Sequence, residues 1–122
     1  MSKKNETLVI GASLKPNRYS NIAIKRLRDN NQTTKAIGLR AGEVEGVIIE
    51  TSLKDFNNID TVTLYLNPKR QVDYYDYIIG LQPRRVIFNP GTENPDFYKM
   101  LRNNAIEVEV ACTLVLLSTN QY

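Results

Sequence analysis

Residues 7–27 read TLVIGASLKPNRYSNIAIKRL: a β-branched, aliphatic run, then a polar loop, then apolar residues at helical spacing. This pattern predicts a strand, a loop and a helix. A dinucleotide-binding fingerprint would place glycines at the first, third and sixth positions of such a loop. This chain has Gly11, Ser13 and Pro16 there, so one glycine of the three is present.

The same alternation of strand and helix patterns continues along the chain. Further strands are predicted at residues 35–39, 47–49, 61–66, 85–88 and 107–111. Helices are predicted at residues 21–27, 68–81, 94–104 and 112–118, with Val72, Tyr75 and Ile79 as one buried stripe. Alternating elements of this kind predict an α/β protein, a Rossmann-like three-layer sandwich. Its mostly parallel sheet has five to six strands in the order 3-2-1-4-5, with the sixth at the edge. One domain is expected to span residues 1–122.

Composition excludes several kinds of chemistry. The chain has no histidine and one cysteine, Cys112, so it lacks His-based nucleophile pairs and any zinc-ligand spacing. No catalytic residue and no metal site is assigned, and a binding protein is expected rather than an enzyme. The net charge of +3 favours an anionic ligand but is too small to indicate nucleic acid. No apolar run is long enough to span a bilayer, so we expect a cytoplasmic protein without a membrane partner.

In doubly wound sheets, ligands bind at the carboxyl ends of the strands. The loops that follow the strands are therefore the candidate binding site. In the first loop, Gly11 permits a sharp turn, and the following helix N-terminus offers free N–H groups to an anion. Ser13 and Ser20 add hydroxyl donors, and Lys15 and Arg18 add positive charge. The loop is therefore predicted to bind a phosphate group.

The other loops discriminate between nucleotides. NAD-binding domains have an acidic residue after the second strand, whereas this chain has Arg40, which suits a ribose phosphate such as that of NADP or coenzyme A (CoA). Asn67 and Asn89 each follow an apolar strand and precede a proline, and we expect their amides to offer hydrogen bonds to the ligand. Gly91 permits close approach of the backbone.

The segments VIGAS…KPNRYS, AIGLR, GVIIETSL, DTVTLYLNP, RVIFNPGTEN and IEVEVACTLVLL occur in this order over nearly the whole chain. They resemble small stand-alone CoA-binding proteins, which are similar to the CoA-binding domain of succinyl-CoA synthetase. The resemblance implies a CoA or acyl-CoA ligand, with its adenosine toward Arg40 and a cysteine near the end of the last strand, matched by Cys112. It places the pyrophosphate over Gly11, Ala12 and Ser13 and at the helix start, Arg18, Tyr19 and Ser20. It places the pantetheine along Asn67 and Pro68 and along Asn89, Pro90, Gly91 and Thr92.

The sequence therefore predicts a small CoA-binding or acyl-CoA-binding protein that is non-catalytic on its own. Two alternatives stay open. One is an NADP-dependent oxidoreductase, which would use the same loop and Arg40. The other is a regulatory interaction module with a vestigial nucleotide site, whose protein partner the sequence does not identify.

Overall fold

A computed structural model describes residues 4–122, and a seven-stranded sheet lies at its centre. The strands are β1 (Glu6–Ala12), β2 (Thr34–Gly38), β3 (Gly42–Val44), β4 (Val47–Glu50), β5 (Ile59–Leu64), β6 (Arg85–Phe88) and β7 (Glu107–Val110). Their order across the sheet is β3-β4-β2-β1-β5-β6-β7, and every pairing except β3 with β4 is parallel. The predicted α/β, Rossmann-like class is confirmed.

The sheet has one strand more than the sequence predicts. The six predicted strands occupy β4-β2-β1-β5-β6-β7, which is their predicted order, and β3 adds an antiparallel edge strand. Its hairpin turn is made by Glu45 and Gly46, both with positive φ, which is the backbone twist that two-residue hairpins favour. Val44 and Val47, which flank this turn, are buried. Strand β3 has only three residues, a glycine, a glutamate and a valine, and gives no strand signal in the sequence. The hairpin therefore depends on the burial of Val44 and Val47 and on the turn.

Helices cover both faces of the sheet. They are α1 (Tyr19–Asp29), α2 (Pro68–Gln71), α3 (Tyr75–Leu81), α4 (Pro95–Asn103) and α5 (Thr113–Ser118). On one face, Ile78 of α3 and Phe97 of α4 pack with the buried β-strand residues. On the other face, Ile24 of α1 and Leu117 of α5 do the same. Because successive strand residues point to opposite faces of the sheet, the apolar strand residues pack into two cores, one under each helical layer. The result is a three-layer sandwich.

The predicted helix at residues 68–81 is wrong as one continuous element. A 3₁₀ turn at Val72–Tyr74 separates α2 from α3, and the change of helical phase leaves Val72 56% exposed. The expected buried stripe is therefore incorrect at Val72, while Tyr75 stacks on Phe97 with ring centroids 4.3 Å apart. Strand β5 also ends at Leu64, two residues before the predicted end, although Leu66 is buried.

Within residues 4–122, none of the helices has the length and apolar character needed to cross a membrane. The same residues contain no group of three or more His, Cys, Asp or Glu side chains placed to hold a metal ion.

Candidate functional site

A cleft of about 540 Å³ opens at the carboxyl ends of the central strands. Strand β1 pairs with β2 on one side and with β5 on the other, so the chain leaves the sheet in opposite directions at this point. Rossmann-like sheets bind ligands at such switch points. The cleft is lined by Gly11, Ala12, Ser13, Leu14, Lys15, Arg18, Tyr19, Ser20, Gly38, Leu39, Arg40, Tyr65, Leu66, Asn67, Arg70, Tyr74, Pro90, Gly91 and Thr92.

Near its end, β1 is irregular at Gly11, where it passes close to the first residue after β5. Gly11 has a φ of +93°, and a Cβ added there would lie 3.0 Å from the carbonyl carbon and oxygen of Tyr65. A side chain at this position would therefore be strained in conformation and would also crowd backbone atoms. This glycine therefore permits the close approach of the end of β1 to the backbone of Tyr65, where both residues line the cleft.

Asn21 stabilises the loop between β1 and α1. It lies in the first turn of α1 and is buried, and its Nδ2 donates a hydrogen bond to the backbone oxygen of Ser13 at 2.9 Å. The Ser13 Oγ accepts a hydrogen bond from the backbone N–H of Lys15 at 3.1 Å, so the hydroxyl hydrogen can still be donated elsewhere. These two contacts fix the turn whose residues line the cleft.

The N-terminus of α1 is open. Arg18 is the N-cap residue and provides no side-chain cap, and no acidic residue lies in the first turn. By contrast, Asn67 caps α2 and Asn94 caps α4 through their side-chain oxygens. Because the first N–H groups of a helix have no intrahelical acceptor, an uncapped N-terminus at a cleft favours an anion.

The end of β2 closes the cleft on one side. A Cβ added at Gly38 would lie 2.3 Å from the backbone oxygen of Ala12, so only glycine permits the close approach of β1 and β2 here. Leu39 and Arg40 follow directly and are exposed, with Leu39 73% accessible. This side of the cleft thus combines an apolar surface with a guanidinium group.

The loops after β5 and β6 form the other side and are tied together by Gln71. This side chain is fully buried, and its Nε2 donates to the backbone oxygens of Leu66 and Thr92 at 2.8 Å each. Its Oε1 accepts a hydrogen bond from Asn94 Nδ2 at 2.9 Å. All the polar groups of the Gln71 amide therefore have partners, and one side chain sets the spacing of the two loops.

The structure separates the two Asn-Pro pairs that look alike in the sequence. Asn67 lines the cleft, and its Oδ1 accepts the backbone N–H of Arg70 at 3.0 Å. Asn89 does not line the cleft: it is buried, and its Nδ2 donates to Thr63 Oγ1 and to the Leu64 backbone oxygen. Its Oδ1 accepts the backbone N–H of Thr113 at 2.8 Å. With its amide fully used, Asn89 is a structural residue beneath the cleft.

Of the fourteen residues predicted from the sequence to bind a ligand, the cleft brings twelve together. Pro68 and Asn89 lie outside its lining. Sequence reasoning missed seven lining residues, namely Leu14, Gly38, Leu39, Tyr65, Leu66, Arg70 and Tyr74. Arg70 carries a signal in the segment NPKR, directly after a strand. Tyr74 reaches the cleft because of the 3₁₀ turn, which has no clear sequence signal.

The charges around the cleft are of one sign. Lys15, Arg18, Arg40 and Arg70 line it, and within residues 4–122 no Asp or Glu does. No described carboxylate lies within 4.0 Å of any of these four cations. A cleft lined by charges of one sign attracts a ligand of the opposite sign, here an anion.

Two titratable groups near the base of the cleft are not part of this charge pattern. Burial raises the pKa of Tyr65 to about 12, so its hydroxyl is a neutral hydrogen-bonding group at physiological pH. Cys112 is half-buried immediately before α5 and is not among the lining residues.

The chain is similar to a known protein family and to solved structures of other proteins. A family model described as "CoA binding domain" matches residues 5–118. A solved structure of an uncharacterized protein is 41% identical, with a TM-score of 0.94 over 99% of this chain and 100% of its own. A hypothetical protein from Pyrococcus horikoshii OT3 is 25% identical, with a TM-score of 0.85 over 95% of this chain and 83% of its own.

A protein from Thermus thermophilus, cell-free ID.343, shares the fold at 23% identity, with a TM-score of 0.83 over 97% of this chain and 91% of its own. The comparison with curated protein sequences gave no match. The family match extends from the start of β1 to the end of α5 and includes every loop that forms the cleft. The chain therefore belongs to the CoA binding domain family.

Proposed function

We propose that this protein binds CoA or an acyl-CoA in the cleft, with the pyrophosphate over the Gly11–Ser20 loop and the N-terminus of α1. The observation that carries the proposal is the open start of this helix, which has neither a side-chain cap nor an acid in its first turn. Free N–H groups, the helix dipole and the cations Lys15 and Arg18 all favour a phosphate at this place.

The size and shape of the cleft support a nucleotide-sized ligand. Its volume of about 540 Å³ lies within the range of roughly 300–1,000 Å³ that is usual for small-molecule sites. The cleft crosses the ends of β2, β1 and β5, so an extended ligand can lie across the strands. CoA, with adenosine at one end and pantetheine at the other, suits such a groove.

Arg40 supports CoA over NAD. It follows β2, where NAD-binding domains have an acid that accepts the ribose 2′-hydroxyl hydrogen bond. In our proposal Arg40 pairs with the 3′-phosphate of CoA, and Leu39 and Leu14 offer apolar surface to the adenosine. The same arginine could meet the 2′-phosphate of NADP, so the experiment must compare these two ligands directly.

Titration calorimetry with CoA, dephospho-CoA, NADP and NAD tests the proposal. We expect CoA to bind at least about tenfold more tightly than dephospho-CoA, because a charge-assisted hydrogen bond contributes roughly 1.5–3 kcal/mol. NADP and NAD should bind more weakly than CoA. Tighter binding of NADP than of CoA would favour an oxidoreductase, and no binding of any of the four would favour a vestigial site.

Two arginine variants locate the 3′-phosphate. Arg40→Ala should bring the affinities for CoA and dephospho-CoA close together. Arg28→Ala is the matched control: this exposed arginine lies near the far end of α1, hydrogen-bonded to the Gln32 backbone oxygen, and outside the cleft lining. It should keep the full preference for CoA. If Arg40→Ala keeps it too, the 3′-phosphate lies elsewhere.

A further inference from the structure

Leu14, in the loop after β1, packs against the first residue of the edge strand β3. A Cβ added at Gly42 would lie 2.5 Å from Leu14 Cδ2, 2.8 Å from its Cδ1 and 3.1 Å from its Cγ, so the lack of a side chain at Gly42 makes room for this leucine. Leu14 lines the cleft, whereas Gly42 does not. We propose that Gly42 positions Leu14 to contact the purine of the ligand, so that the hairpin of β3 and β4 takes part in binding. This inference rests on the proposed CoA site.

The contact with Gly42 places the Leu14 side chain at the nucleoside end of the proposed site. Gly42 lies two residues after Arg40, and two residues of chain span at most about 7 Å. Arg40 is the residue proposed to pair with the 3′-phosphate, and that phosphate is attached to the same ribose as the purine. A ligand with its 3′-phosphate at Arg40 and its pyrophosphate over the loop after β1 therefore brings its purine to the side of the cleft where Leu14 lies.

Leu14 and Leu39 give this side of the cleft an apolar surface that solvent reaches. Leu14 is 41% exposed and Leu39 is 73% exposed, and both line the cleft. A purine has a broad, flat face, and packing this face against leucine side chains removes apolar surface of both partners from water. Burial of this surface favours a purine in contact with Leu14.

Gly42→Ala should move Leu14 without disturbing the fold. Gly42 does not have the positive φ that makes a side chain unfavourable at Gly11, so its backbone accepts alanine. The atoms nearest to the added Cβ all belong to the Leu14 side chain, which can rotate to another rotamer. The substitution therefore changes the position of one side chain of the cleft at little cost to stability.

Titration calorimetry with CoA tests the inference on four proteins: the wild type, Gly42→Ala, Leu14→Ala and the double variant. Each single substitution should weaken CoA binding about fivefold, because the purine loses part of its apolar contact. In the Leu14→Ala background, Gly42→Ala should change the affinity by less than about twofold, because the side chain that it displaces is gone.

Gly46→Ala is the matched control. Gly46 lies at the turn of the same hairpin with a φ of +79°, and among the described residues nothing lies within 4 Å of its added Cβ. This variant strains the hairpin without touching Leu14, so it should keep the wild-type affinity for CoA.

Nuclear Overhauser effects identify the part of CoA that lies on Leu14. In the wild-type complex, the δ-methyl protons of Leu14 should give cross-peaks to the H2 or H8 proton of the adenine. Cross-peaks from these methyl groups only to pantetheine protons, or to no ligand proton, would overturn the inference.

Wild-type affinity in Gly42→Ala or in Leu14→Ala would also overturn it. So would an equal effect of Gly42→Ala with and without Leu14, because Gly42 would then act through another residue. Weakening by Gly46→Ala to the same extent would overturn it as well, since the cause would then be the hairpin as a whole. In all these cases CoA still binds the wild-type protein and the proposed function stands, whereas no binding of CoA to the wild type would refute the proposed function too.

Discussion

Replacing Gly11 by Ala should destabilise the protein through two separable effects. At a φ of +93°, a residue with a Cβ is strained, which costs roughly 1–3 kcal/mol. The added Cβ would also lie 3.0 Å from two backbone atoms of Tyr65, which cannot move aside as a flexible side chain can. Overpacking of this kind costs about another 1–3 kcal/mol.

Gly91→Ala provides the matched control. Gly91 has a φ of +92°, but within the described chain nothing lies within 4 Å of its added Cβ. This variant should therefore show the conformational cost alone. Urea unfolding followed by circular dichroism measures both free energies of unfolding. We expect Gly11→Ala to be less stable than Gly91→Ala by about 1–3 kcal/mol, and equal losses would refute the predicted contact with Tyr65.

Three further predictions concern stability. Gly80→Ala should stabilise the protein by about 0.5–1 kcal/mol in the same urea assay, because Gly80 lies within α3 with open space around its added Cβ; a loss of stability would contradict this. Gln71→Leu should cost roughly 2–6 kcal/mol, since two loop carbonyls at about 1–3 kcal/mol each lose their buried partner, and a loss below 1 kcal/mol in urea unfolding would refute the network. Burial alone would raise the pKa of Asp60, but hydrogen bonds from Arg84 and Thr61 outweigh it and hold this pKa below its usual 3.8. The ionised form of Asp60 therefore stabilises the fold above about pH 3.8, and this contribution is lost as pH falls through the lower folded pKa. Asp60→Asn should accordingly lose less stability than the wild type between pH 6 and pH 3, and an equal loss would contradict the assignment.

The strands were predictable because most of them are buried on both faces. Parallel strands of this kind contain apolar runs, as at residues 8–10 of β1 and 86–88 of β6, whereas β5 alternates apolar residues with the buried threonines Thr61 and Thr63. Strand β3 was not predictable, because Gly42 and Glu43 have low strand propensity and the strand depends on pairing with β4. The break at Val72 was hidden for a similar reason, since local periodicity does not reveal the tertiary hydrogen bonds that fix Gln71 next to it.

In the candidate site too, some features were predictable from the local sequence and others were not. The Gly11 loop was predictable because its turn, hydroxyl and basic residues are adjacent in sequence. Asn67 and Asn89 have the same local sequence pattern, but Asn89 turns inward to Thr63 and Thr113, partners 26 and 24 residues away. Local sequence therefore identified which loops form the cleft, whereas long-range hydrogen bonds decide which of their side chains face it.

A crystal structure of the protein with CoA tests the central claim most directly. We predict pyrophosphate oxygens within about 2.7–3.2 Å of backbone N–H groups at the start of α1, Tyr19 and Ser20, with the adenosine on the Arg40 side of the cleft. CoA bound outside this cleft, or its pyrophosphate placed away from the start of α1, would contradict the account.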